Sequence, residues 1–246
     1  MRVEQFLNDS ATRFGKKAAI VVAGRQHSYA DLARSSDRVA AALRNRGVLR
    51  GDRVALFMDD NFEAVVSAFA VLKAGAVASP IHARSDAATL ARILSSTGAV
   101  AMVTGARLAS VAAAAMSSVG TVRLVVLCGG DRSTASRSCL IFEELIRGFG
   151  PGPCIERVGP PSDPALLLQA IGPDGESSEA TLTHAEVVAA ATAVDHTPRM
   201  HSSILSHRGL CQLLAAIRAG ATLVLETPSA FRHVTLAGDG VPALAI

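Results

Sequence analysis

Tryptophan is absent from the 246 residues, Tyr29 is the single tyrosine, and lysine occurs only at Lys16, Lys17 and Lys73. Single-stranded nucleic acid is held in basic grooves where bases stack on aromatic rings, and 4% aromatics with scattered arginines supply neither. Nucleic acid is therefore not expected as a partner. Also missing is an unbroken apolar run of about 18 residues. The two most apolar stretches, Phe62–Ala83 and Ala99–Gly120, carry Lys73 and Arg107 in their middles, so no transmembrane segment is expected. No basic and apolar leader follows Met1, where Glu4, Asn8 and Asp9 stand, which makes a cytoplasmic location the expectation. Cys128, Cys139, Cys154 and Cys211 lack the CxxC spacing of zinc or redox sites and read as buried reduced thiols. The tightest histidine group, His196, His201 and His207, lacks the spacing that puts two ligands on one helix face. Neither a metal site nor a cofactor is expected.

What is present is a chain 50% hydrophobic and 18% charged, with net charge +3, far too apolar for disorder. A mean hydropathy of +0.35 is high for a lone soluble domain and suggests a surface for a partner. A helix is expected over Val3–Phe14, then a hairpin of Ala18–Val22 and Gln26–Tyr29. Ser28 with Asp31 forms the reciprocal cap of a helix reaching Asn45. Strand and helix then alternate. Strands are expected at Arg53–Met58, Ala76–Pro80, Ala99–Thr104 and Val122–Cys128; helices follow Asp60, which is read with Glu63 as a cap, and cover Asp86–Ser96 and Ala106–Ser118. This pattern predicts an α/β fold with a doubly wound parallel sheet and flanking helices. Residues 148–164, dense in Gly and Pro, read as a linker between a first subdomain, 1–147, and an incomplete second one, 165–246. In the second, a strand over Ala165–Gln169 leads through a loop, Ile171–Glu179, to a helix capped by Thr183 and Glu186. A helix over His207–Ala219 and strands at Ala221–Leu225 and Val234–Ala237 follow.

The motifs of P-loop NTPases, α/β-hydrolases and dinucleotide-binding folds, GxxxxGK[ST], GxSxG and a GxGxxG after a strand, do not occur. Other stretches do match a family. GDRVALFMDDNFEAVVSAFAVLKAGAVASPIHARSDAATLARILSSTGAVAMVT at 51–104, ALLLQAIGPDGESSEATLTH at 165–184, RAGATLVL at 218–225 and GVPALAI at 240–246 resemble the adenylate-forming enzymes, which include acyl-CoA synthetases and the adenylation domains of peptide synthetases. The likeness runs over nearly the whole chain. It covers less than half of a family member, and the expectation from it is that the chain corresponds to the N-terminal portion and lacks the later nucleotide and lysine elements.

In the family a Ser/Thr/Gly-rich loop followed by Pro-Lys-Gly wraps the phosphates of ATP. Here the resemblance keeps the frame, with Gly172 and Gly175 inside the loop and Thr183-His184 after it, but changes the chemistry. Ala170, Ile171, Pro173 and Asp174 replace hydroxyls, and Ser177, Ser178 and Glu179 stand where the family has Pro-Lys-Gly. A phosphate cradle needs free backbone N–H groups and positive charge. This loop instead brings the carboxylates of Asp174, Glu176 and Glu179 and a proline without an N–H. A like charge about 5 Å from a phosphate costs about 3 kcal/mol at an effective dielectric of 20. The three acids read as a solvated loop rather than a cation site.

Gly172, Asp174, Gly175, Ser177, Ser178, Thr183 and His184 are thus the degenerate remnant of a phosphate loop, with Thr183 a helix cap and His184 structural. His207 and Gly209 are the candidate remnant of an acyl pocket, His207 also reading as a helix-start residue. No catalytic residue is assigned. The expected function is that of a non-catalytic acyl-CoA synthetase-like protein acting through association, as a homodimer or with a longer partner, since a chain ending inside a fold would leave apolar surface uncovered. The alternatives are the front half of a split acyl- or aryl-acid ligase completed by a second chain, and a protein that binds an acyl or carboxylate ligand without ATP chemistry.

Overall fold

Apolar residues at alternating and at helical spacing build the elements in turn. The computed structural model describes residues 1–130, 139–148, 159–171, 177–194, 203–225 and 234–237. Helix α1 (Val3–Phe14) precedes the hairpin β1 (Ala18–Val22) and β2 (Arg25–Ser28), which turns at Ala23 and Gly24 with φ of 47° and 76°. Ser28 begins α2 (Tyr29–Asn45): the Asp31 N–H donates to Ser28 Oγ at 3.1 Å and the Ser28 N–H to Asp31 Oδ2 at 3.2 Å. Then come β3 (Arg53–Phe57), α3 (Phe62–Lys73), β4 (Val77–Ile81), α4 (Ala87–Thr97), β5 (Ala101–Gly105), a 3₁₀ turn at Ala106–Leu108, α5 (Ala109–Met116) and β6 (Leu124–Cys128). The rest comprises β7 (Cys139–Ile141), α6 (Phe142–Arg147), β8 (Pro164–Ile171), β9 (Ser177–Thr183), α7 (His184–Ala193), α8 (His207–Arg218), β10 (Thr222–Leu225) and β11 (Val234–Ala237).

The larger sheet has the order β7-β6-β5-β3-β4-β8-β9, parallel throughout except for β9. The smaller one, β11-β10-β1-β2, pairs β1 with β10 in parallel. Helices cover both faces of the large sheet, as the alternating pattern predicts. Val54 and Leu56 of β3 join a core shared with α1, α2, α3, α7 and α8, while Ala55 and Phe57 face a second core under α4 and α5. Because α3 is buried nearly all round, its sequence reads as a continuous apolar run, and that run accounts for part of the high hydropathy. Lys73, only 4% exposed, ends this helix and donates to Asp37 Oδ1 of α2 at 2.7 Å. Among the described residues the exposed large hydrophobics are Met1 and Leu49 alone; the apolar surface expected from composition is not found there.

Three local expectations change. The cap of α3 is Asn61, whose Oδ1 accepts from the Ala64 N–H at 2.8 Å, and not the pair Asp60 and Glu63. Two adjacent residues can each cap a helix, and the side chain of Asp60 is turned to another use, described below. Asn61→Ala is expected to cost about 1 kcal/mol in urea unfolding; an unchanged midpoint would return the cap to Asp60. Secondly, Ser177, Ser178 and Glu179 are not loop residues but the start of β9, paired with β8 out to Ile171↔Ser177. Thirdly, each sheet takes strands from both sides of the segment 148–164: β8 and β9 extend the sheet of β3 to β7, and β10 and β11 that of β1 and β2. Within that segment, 149–158 lie outside the described residues.

The N-terminus is fastened to the start of α7. Arg2 donates through Nε to Glu4 Oε1 (2.6 Å) and through Nη1 to Asp163 Oδ2 (3.2 Å), and its Nη2 lies 2.7 Å from His184 Nε2. His184 is fully buried in this contact.

Candidate functional site

In an open parallel sheet, the crevice for ligands lies beyond the carboxyl ends of the strands, where successive connections part to opposite sides. Here the chain leaves β3 for β4 on one side and then crosses to β5 on the other. The residues following these strands line a cavity of about 850 Å³: Asp59 and Asp60 after β3, His82 and Arg84 after β4, and Arg107 after β5. Gln169 of β8 and Ser178 of β9 line it from the hairpin, and Ser203, Leu205, Ser206 and His207 from the approach to α8 and its first residue. Apolar wall is supplied by Met58, Ile81, Leu168 and Leu205, the mixture of apolar lining and few polar groups usual in small-molecule sites.

The polar groups are held by specific contacts. Arg107 grips Asp59 with two guanidinium nitrogens, Nε donating to Oδ2 at 2.9 Å and Nη2 to Oδ1, so the fork at the strand-switch crevice is already filled by a carboxylate. Asp60 Oδ1 accepts both the Ser203 hydroxyl (2.7 Å) and the Ile204 N–H (3.1 Å), across 143 residues of chain. Burial pushes the Asp60 carboxyl above the usual range, and the two hydrogen bonds oppose that shift. Ser206 caps α8 through the Gly209 N–H at 3.0 Å. Gly209 itself has no room for a side chain, since a Cβ there would lie 2.0 Å from the Ser203 carbonyl oxygen and 3.1 Å from Ile204 Cα. Gln169 Nε2 donates to Glu179 Oε1 at 3.0 Å and to Ser96 Oγ at 3.2 Å, tying the two strands of the hairpin to α4.

The structure brings two of the sequence candidates, Ser178 and His207, to the lining of one cavity. Gly209 stands behind His207 and sets how closely α8 approaches 203–204. Thr183 and His184 are elsewhere: Thr183 caps α7, accepting from the Glu186 N–H at 3.2 Å, and His184 contacts Arg2. Gly172, Asp174 and Gly175 lie outside the described residues, and of Ser177 only the backbone in β9 is described. Sequence reading did not single out Asp59, Asp60, His82, Arg84 or Arg107 as site residues. The signal was available, because each follows the end of a predicted parallel strand.

The sequence pattern described as AMP-binding enzyme matches residues 7–239 of this chain. The chain belongs to the AMP-binding enzyme family. Among relatives in this family, the salicyl-AMP ligase / salicyl-S-ArCP synthetase of Mycobacterium tuberculosis is 30% identical, across 99% of this chain and 47% of its own length. The apo structure of MbtA from Mycobacterium smegmatis is 29% identical and superposes with a TM-score of 0.80 over 91% of this chain and 43% of that one. The anthranilate CoA ligase AuaEII, solved in complex with anthranoyl-AMP, superposes at 0.82 over 94% of this chain and 45% of that one; at 19% identity this is a likeness of fold. The chain thus spans about half the length of these AMP-binding enzymes. Among the described residues, no group of three or more His, Cys, Asp or Glu is placed to hold a metal ion, and no helix is long and apolar enough to cross a membrane. Cys128, Cys139 and Cys211 are unpaired thiols, and Cys154 lies outside the described residues.

Proposed function

We propose that this chain is a non-catalytic member of the AMP-binding enzyme family, which keeps a ligand cleft at the strand ends but lacks the grip on a nucleotide's phosphates. The observation that carries the reading is Ser178. By resemblance it stands at the place of the family's lysine, and it lines the cavity from β9 with the carboxylate of Glu179 next to it in the strand. Phosphoryl chemistry needs fixed positive charge where negative charge develops, and no lysine or arginine occurs between Arg157 and Arg199. Arg107, which lines the cavity after β5, is engaged by Asp59. Pro173, Asp174 and Glu176 add further opposition in the sequence of the loop. Binding of a small molecule without ATP chemistry is the form of this reading that the cavity supports. Action through association, as a homodimer or with a longer partner, draws no support from the described surface, where Met1 and Leu49 are the exposed large hydrophobics.

Calorimetry with Mg-ATP tests the proposal. No binding heat and no carboxylate-dependent pyrophosphate exchange are expected. A dissociation constant tighter than about 100 μM, equivalent to roughly −5.5 kcal/mol, would overturn it and favour the front half of a split ligase, which predicts exchange once a companion chain is added.

A further inference from the structure

Asp60 does more than tie 203–204 to the end of β3. Both hydrogen bonds that it accepts end on Oδ1, and Oδ2 has no partner among the described residues. The adjacent carboxylate, Asp59, is matched by the Arg107 fork, so Asp60 carries the negative charge of this wall that no arginine answers. It sits half-buried beside Met58, Ile81 and Leu205. Of the other ionisable groups lining the cavity, His82, Arg84 and His207 are exposed, and His82 is near enough to favour the charged form of Asp60. A carboxylate fixed by one oxygen and set in an apolar wall is a strong acceptor for a charged N–H donor and repels an anion.

We infer that the cleft takes an apolar molecule bearing a protonated amine, the amine seated on Asp60 Oδ2 and the apolar body on Met58, Ile81 and Leu168. This inference rests on the cleft being a ligand site, as proposed above, and not on the lack of ATP chemistry. It departs from the acyl or carboxylate ligand that the family resemblance implies, because a carboxylate in the same place would meet Asp60 with like charge.

The absence of tryptophan from the chain provides the assay, since indole emission then reports the probe alone. Tryptamine and indole-3-propionate share a ring and a two-carbon arm and differ in the charge at its end. In fluorescence anisotropy titrations of the full chain, tryptamine is expected to bind at least about tenfold more tightly than indole-3-propionate. Asp60→Asn keeps Oδ1 for Ser203 and Ile204 and removes the charge. It is expected to weaken tryptamine by about tenfold or more with the thermal midpoint unmoved, a result that a purely structural role for Asp60 would not produce. Equal or tighter binding of indole-3-propionate, undiminished tryptamine binding to Asp60→Asn, or binding of neither probe would overturn the inference. If the variant does not fold, the two probes on the unaltered chain decide the matter. Mg-ATP added to the same titration separates the two proposals: its binding would defeat the non-catalytic reading and leave the amine preference standing.

Discussion

Stability is expected to fall as the pH drops from about 6.5 toward 3, by up to about 1.4 kcal/mol per pH unit, and His184→Gln is expected to remove most of that slope. The substitution is expected to cost about 2–4 kcal/mol at neutral pH, as loss of a buried hydrogen-bonded polar group does. His184 is fully buried, and burial together with the neighbouring Arg2 guanidinium lowers its pKa to about 3, against the partial opposition of Asp163. The ring has one proton to place. Arg2 Nη2 can only donate and lies 2.7 Å from Nε2, and the Val3 N–H donates to Nδ1 at 3.2 Å, so both ring nitrogens face donors while the neutral ring has one lone pair to offer them. Glu4 Oε2, a buried oxygen without a hydrogen-bond partner, lies 3.4 Å from Nδ1. A second proton would eliminate the acceptor and set two cations side by side. The folded pKa lies below the unfolded value of 6.5, so as pH falls the unfolded chain takes up the proton first. Stability is complete above about 6.5 and is lost progressively down to about 3.

Other groups bend the profile but do not mimic this difference. His27, with its pKa lowered by partial burial, has the same sign; Asp31 and Asp163, held below the usual carboxylate range by hydrogen bonds, lose their contribution only in stronger acid; Asp60 and Glu63, pushed up by burial, act in the opposite sense. Urea midpoints measured through pH 7 to 4 for both proteins check the prediction, and parallel curves would dismiss it.

Gly209→Ala is expected to destabilise the chain by about 2–4 kcal/mol and to open the cavity. The added methyl would meet main chain, the Ser203 carbonyl group and Ile204 Cα, rather than the flexible end of a side chain. Relieving a 2.0 Å approach requires 203–204 to move away from α8, and the two hydrogen bonds to Asp60 would be lost with that movement. Gly24→Ala is the comparison. Gly24 lies in the left-handed region at φ 76° with nothing within 4 Å of a Cβ, so its cost is backbone strain alone, about 1 kcal/mol. Thermal unfolding of the two variants side by side should separate close packing from strain. Equal losses would show that α8 can shift on its strand-end neighbours at little cost.

Local chemistry determined much of this molecule. Ser28 with Asp31 and Thr183 with Glu186 start α2 and α7 by reciprocal hydrogen bonds within four residues of chain. The strands alternate with helices because successive apolar runs can be covered only by helices on both faces of the sheet. The change of chemistry around Ser178 and Glu179 was also legible, since it concerns which residues stand in a frame of known length. The sequence did not disclose what depends on positions distant in the chain. Asp60 reads as a helix cap until α8 is brought against it from 143 residues away; a carboxylate next to an asparagine at a helix start offers no local sign of which one does the capping. His184 reads as structural from its place after a helix cap, but the partner that holds it, Arg2, lies 182 residues away, and burial keeps it neutral. Ser178 and His207 reach one cavity only because β9 folds back along β8 and α8 docks on the end of β3. Hydrophobic period and caps act over a few residues and are written in order along the chain, whereas the cavity and the carboxylate of Asp60 in its wall arise from the packing of strand ends whose neighbours are chosen by the sheet.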